Sequence, residues 1–159
     1  MVNKGFVKEQ MGRLETNFGK DRFKVTQSLF DLWYEMFQDL DENGIKASVD
    51  EYIKTSEYPP TIASIMKIYN AKKEYREHLR RFIKAKYTWV YKWFEEEMSE
   101  DVYQKLIDMV FSYPKEVREK VMTDFAYEAT SYYTNNALIG KKVTVGEFLE
   151  KFKWTQRDK

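Results

Sequence analysis

The sequence predicts an all-α protein: a small helical bundle whose long central helix leads to a second helical subdomain. Three observations carry that expectation. Only 6 Gly and 3 Pro punctuate 159 residues. Strand-like alternation is scarce, and apolar residues recur at helical intervals instead. The apolar share is 43%, with aromatics alone at 17%, so a sizeable core can be buried even though 33% of residues are charged. The expected division is an amino-terminal helical domain over residues 1–80 and a carboxy-terminal helical subdomain over residues 81–159.

A first short helix is expected over about Lys4 to Asn17. In the next segment Thr26 can cap the amino end, because its hydroxyl reaches an otherwise unpaired backbone N–H. Leu29, Trp33, Met36, Phe37 and Leu40 then share one face. "DENG" reads as the stop, with Gly44 free to turn left-handed. Ile45, Val49, Tyr52 and Ile53 make the stripe of a third helix.

That helix must end before "YPP". Tyr58 precedes a proline and is pushed out of the helical region. Pro59 and Pro60 have no N–H to donate, and Pro60 suits the start of the next helix. The junction is expected to be a rigid corner, with Tyr58, Pro59 and Pro60 as structural residues and Trp33 in the core beneath. From Ile62 to about Met98 nothing interrupts the helical pattern, a length beyond an ordinary globular helix. Ile65, Ile68, Tyr75, Leu79, Phe82, Val90 and Phe94 are expected to be its buried stripe, with a kink or short break near Lys84 to Thr88.

Ser99 caps a following helix that Pro114 ends. Pro114 also opens the next helix, which closes at Gly140. In the last helix Thr144 and Glu147 have the spacing of a capping box. The tail "TQRDK" is expected to be loose.

Charge is nearly balanced, with 27 Lys+Arg against 26 Asp+Glu. That argues against a general polyanion binder and against an acidic mimic of nucleic acid. The absence of cysteine excludes disulfides and thiolate chemistry and suits a reducing compartment. No apolar run approaches the roughly 18 residues of a spanning helix, and "MVNKGFVKEQ" lacks a signal peptide's apolar stretch. A soluble protein of the cytoplasm is expected, with no membrane contact.

Catalytic patterns are weak. Gly140-Lys141 would fit a phosphate loop only with a Gly where Asn135 stands and a Ser or Thr where Lys142 stands. His78 is the single histidine, and with Glu74 one turn before it supplies two metal ligands where a site needs three or four. Glu95, Glu96 and Glu97 have no partner base in the pattern and read as a solvated face. No catalytic residue, metal or cofactor is expected, and the protein reads as a non-enzyme.

Two segments point to binding. In "KKEYREHLRRFIKAK" Lys73, Arg76, Arg80 and Lys84 share one side of a helix, roughly opposite Tyr75, Leu79 and Phe82. Such a stripe suits an acidic protein surface or DNA phosphates, and a solvated face is the plainer alternative. In "KYTWVYKWF" Tyr87, Trp89, Tyr91, Trp93 and Phe94 cannot all face one core, so some aromatic surface is left for a protein interface. Packing between two subdomains is the alternative there. Lys73, Arg76, Arg80, Lys84, Trp89 and Trp93 are the candidate partner-binding residues.

The stretch "VTQSLFDLWYEMFQDLDENGIKASVDEYIKTSEYPPTIASI" resembles the amino-terminal domain of the phage replicative helicase loader/inhibitor family, over about residues 10–75. The likeness lies in the "WYEMFQDLD" helix, the "VDEYIKTSEYPPTIASI" module and the interval between them. It implies a compact all-helical domain in which Trp33, Met36, Tyr52, Ile53, Ile62 and Ile65 are core. It also implies a partner, the ring-shaped replicative helicase, which such proteins bind, hold inactive and hand to an origin-bound initiator. The family pattern continues into a flexible carboxy-terminal part, whereas residues 85–154 here are aromatic and helical. The expected function is therefore a phage or mobile-element replication accessory protein acting on a hexameric helicase. Two alternatives stay open: a phage-encoded inhibitor of another host complex such as a defence nuclease, and a DNA-binding adaptor using the basic helix face.

Overall fold

In a computed structural model the described chain, residues 1–156, forms seven α-helices and one 3₁₀ turn, and no strand. The tail expected to be loose lies, from residue 157 onward, outside the described residues. The chain divides into two compact units, Met1–Arg76 and Glu77–Lys159, and the division falls within one long helix.

The first unit contains α1 (Lys4–Phe18), α2 (Gln27–Phe37), α3 (Glu42–Thr55) and the start of α4 (Ile62–Phe94). Three side chains begin its helices by accepting an otherwise orphaned amide. Asn3 takes that of Gly5 at 2.6 Å, Thr26 that of Leu29 at 3.2 Å, and Asp41 that of Gly44 at 2.7 Å. α4 begins with a reciprocal pair: the Ser64 amide donates to the Thr61 hydroxyl, and the Thr61 amide donates to the Ser64 hydroxyl. Val7, Met11, Leu14 and Phe18 line the inner face of α1. They meet Trp33 and Phe37 of α2, Ile45 and Val49 of α3, and Ile65 of α4 in one core. Trp33 is the aromatic centre, edge-on to Phe23 (5.6 Å) and to Phe37 (5.3 Å).

Several expectations change in this unit. Met36 is not core but 50% exposed. α2 has more apolar residues than its inner face can cover, and Trp33 and Phe37 take that face. Tyr52, Ile53 and Ile62 are half-buried around the core. Gly44 does not stop α2, which ends at Phe37; it lies in the first turn of α3, behind the Asp41 cap.

The second unit holds the rest of α4, then α5 (Glu100–Phe111), a 3₁₀ turn (Lys115–Val117), α6 (Arg118–Leu138) and α7 (Val145–Lys151). α5, α6 and α7 pack on one another. The core combines Leu79, Ile83, Tyr87, Val90, Tyr91 and Phe94 of α4 with side chains of α5, α6 and α7 such as Leu106, Phe125 and Phe148. Ser99 and Thr144 cap α5 and α7. The bend at Pro114 is tied by Arg118, whose guanidinium donates to the carbonyls of Tyr113 (2.8 Å) and Phe111 (3.0 Å). Pro114 therefore opens a 3₁₀ turn, and α6 starts only at Arg118.

The long helix also departs from expectation. It ends at Phe94, short of Met98, and carries no break at Lys84–Thr88. The Thr88 hydroxyl there bonds back to the Lys84 carbonyl at 2.8 Å, and no Gly or Pro interrupts the ladder. Ile83 is the buried residue and Phe82 only partly so, because Leu79, Ile83, Tyr87 and Val90 form the inner row.

Candidate functional site

The corner between α3 and α4 is built from backbone and one tyrosine. The Tyr52 hydroxyl donates to the carbonyls of Tyr58 (3.0 Å) and Pro59 (3.3 Å). Ser56 bridges to the Tyr58 backbone, and the Arg22 guanidinium holds the Glu57 carbonyl at 2.9 Å. Pro60 is buried, Pro59 half-buried, and Tyr58 projects at 72% exposure. The double-proline corner thus follows α3, whose one aromatic, Tyr52, packs against Phe18 at 6.0 Å between ring centroids.

Residues 7–66 match the family model of the phage helicase loader/inhibitor N-terminal domain. That family is a non-catalytic accessory one. The match lies wholly inside the first unit and covers less than half of the chain. It includes α2, α3 and the Tyr58–Pro60 corner. No curated protein and no solved structure matches the chain.

The candidate binding residues divide between the units. Lys73 and Arg76 are exposed in the first, beyond the end of the matched segment. Arg80, Lys84, Trp89 and Trp93 are exposed in the second. None of the four basic residues forms an ion pair among the described residues, whereas Lys72 pairs with Glu51 at 2.6 Å. Arg80 partly offsets the burial that raises the Tyr103 phenol above its usual range.

Within the second unit the four are not one surface. At about 100° per residue, Arg80 and Lys84 flank one edge of the buried row of α4, and Trp89 and Trp93 flank the other. A flat partner covers one pair or the other. The tryptophans gain a neighbour that the sequence reading left out: Tyr127 of α6, 63% exposed. Trp89 lies 5.9 Å from Trp93 and 6.4 Å from Tyr127 between ring centroids. With the indoles 43% and 47% exposed, the three rings form a contiguous aromatic patch. The signal for Tyr127 was present in the helical period, since Met122, Phe125, Ala126 and Ala129 take the inner face of α6 and turn residue 127 outward.

On the side of α4 away from the patch, at about 100° per residue, Tyr87 and Tyr91 are buried and meet edge-on at 4.3 Å. The Tyr87 hydroxyl donates to the Ser99 carbonyl at 2.9 Å. Burial, then the neighbouring Tyr91, raises its pKa far above the tyrosine range.

The remaining polar features are structural in geometry. His78 is exposed, with Nε2 3.2 Å from a Glu119 carboxylate oxygen. Among the described residues no group of three His, Asp or Glu is placed to hold a metal ion. Gly140 closes α6 at φ 75°, and the Lys141 amide donates to the Asn136 carbonyl at 2.8 Å. Among the described residues no helix is long and apolar enough to cross a membrane.

Proposed function

We propose that the protein is a phage or mobile-element replication accessory protein that binds a hexameric replicative helicase and controls its loading or activity. The observation that carries this reading is the loader/inhibitor N-terminal domain match over residues 7–66. The protein acts by contact and makes or breaks no bond, in the host cytoplasm. Residues 1–80 supply the loader-type scaffold, and residues 81–159 supply the contact surface centred on Trp89 and Trp93, with Lys84, beside Arg80 at the end of the scaffold, on the other edge of the same helix. An origin-bound initiator is a further partner of the same cycle.

The test is gel filtration of the purified protein with the host and phage helicases at micromolar concentration, together with helicase ATPase assays. Co-elution and a changed ATPase rate are expected. Replacing Trp89 and Trp93 by Ser should weaken co-elution about tenfold or more, the usual scale for exposed aromatic anchors. Absence of a complex with either helicase would refute the reading.

A second reading has its own motive, the ordered aromatic second unit. There the protein inhibits another host complex, such as a defence nuclease, on the same amino-terminal scaffold. Affinity capture from host lysate separates the two by which complex is recovered. Direct DNA binding through Lys73, Arg76, Arg80 and Lys84 is disfavoured by the balanced total charge. It requires affinity that falls steeply with salt and vanishes when all four are Ala.

A further inference from the structure

α2 offers a surface of different chemistry. Leu32 and Met36 stand one turn apart on it, 49% and 50% exposed, beside the flank that buries Trp33 and Phe37. The charge along this stretch has one sign. From Val25 to Ile45 the chain carries Asp31, Glu35, Asp39, Asp41 and Glu42, and no Lys, Arg or His. Lys4 of α1 reaches α2 over the Tyr34 ring, about 200° around the helix from both Leu32 and Met36. Asp41 and Glu42 serve the unit itself, accepting the amides of Gly44 and Asn3. Asp31 accepts from Gln27, on the same helix, and neither Glu35 nor Asp39 enters an ion pair among the described residues.

At about 100° per residue, Asp31 and Glu35 form a row directly beside the row of Leu32 and Met36, and Asp39 follows past the helix end. An aliphatic ridge edged by carboxylates is the complement of a helix whose own apolar strip is edged by Lys and Arg. The apolar rows interlock as paired helices do. The flanking charges steer the approach and reject acidic partners.

We infer that the outer face of α2 docks a basic amphipathic helix of a partner protein, with Leu32 and Met36 in the seam and Asp31, Glu35 and Asp39 paired to its cations. This surface belongs to the first unit and stands independently of the helicase reading.

The probe is a synthetic helical peptide with leucines in heptad spacing flanked by lysines. Its control has glutamates in place of the lysines, and both are titrated into the full chain and followed by NMR. The lysine peptide should bind with amide shifts confined to residues 27–39, weakening steeply with salt, and the glutamate peptide should not bind. Leu32→Ser with Met36→Ser should weaken the lysine peptide about tenfold or more. Glu35→Lys with Asp39→Lys, both exposed and outside the core, should turn the preference toward the glutamate peptide.

Equal binding of both peptides would overturn the inference, as would shifts centred on Trp89, Trp93 and Tyr127 or an unchanged preference in the charge-reversed variant. Self-association of the free protein that the Leu32→Ser/Met36→Ser change abolishes would overturn it as well, giving the ridge to a second copy.

Discussion

Gly44 is a position where one methyl group has a large effect. A Cβ built there lies 2.6 Å from Cε2 of Tyr69, whose hydroxyl also accepts the Asp41 amide at 3.1 Å. Gly44→Ala should therefore displace the ring and cost about 1–3 kcal/mol, the range of an overpacked contact, as read by urea denaturation. Glu95 is the opposite case. Among the described residues it is the single non-glycine at positive φ, 54°, just past the end of α4. Glu95→Gly relieves that left-handed strain and should raise stability by about 0.5–1 kcal/mol. Tyr87 gives a pH signature. Its folded pKa is raised, so the native hydroxyl keeps its proton where an unfolded tyrosine loses it, above a pH of about 10. Stability should be complete below that pH and fall as pH rises through it, and Tyr87→Phe should flatten the decline in denaturation midpoints on the alkaline side. Sequence reasoning reached the aromatic overflow around Trp89 and Trp93 because periodicity is local. It missed the need for Gly44, read there as a helix stop, because the demand comes from a ring on another helix.

Helix boundaries follow from short-range chemistry, and that is where the sequence was most legible. Thr26, Ser99 and Thr144 each sit at the start of a helix and accept the amide three residues on. Thr26→Ala should cost about 1 kcal/mol, measurable as a lower thermal midpoint of the first unit. The misplacements share a physical cause. Near Pro60 the cap passes to Thr61, because the Thr61–Ser64 pair satisfies two amides and Pro60 is used in packing. Near Pro114 a 3₁₀ turn comes first, because Arg118 holds the preceding carbonyls. In α4 the choice of Ile83 over Phe82 depends on which neighbours the core offers, and adjacent apolar residues leave period counting undecided. The two candidate rows of that helix, basic and aromatic, were legible as exposed faces; their placement on opposite edges of the buried row follows once that row is known.

At the scale of the molecule, the core of the first unit is drawn entirely from its own residues, from Val2 to Ile65 with Tyr69 packed against it. Residues 1–80 alone should therefore remain helical and unfold cooperatively, which circular dichroism with temperature would show; a gradual, non-cooperative melt would contradict it. The all-helical class was readable from punctuation and period alone, whereas Tyr127 joins Trp89 and Trp93 only once α6 is packed. The distribution of indoles has one more consequence. Of the four tryptophans, Trp33 is the sole one in the first unit and is shielded from water, whereas Trp89 and Trp93 stand half in solvent. The chain thus carries built-in optical probes: once the half-buried Trp154 of the second unit is replaced by Phe, blue emission reports the integrity of the first unit, and a blue shift of the red-edge component on mixing would signal that a partner has covered the aromatic patch, with no dye attached.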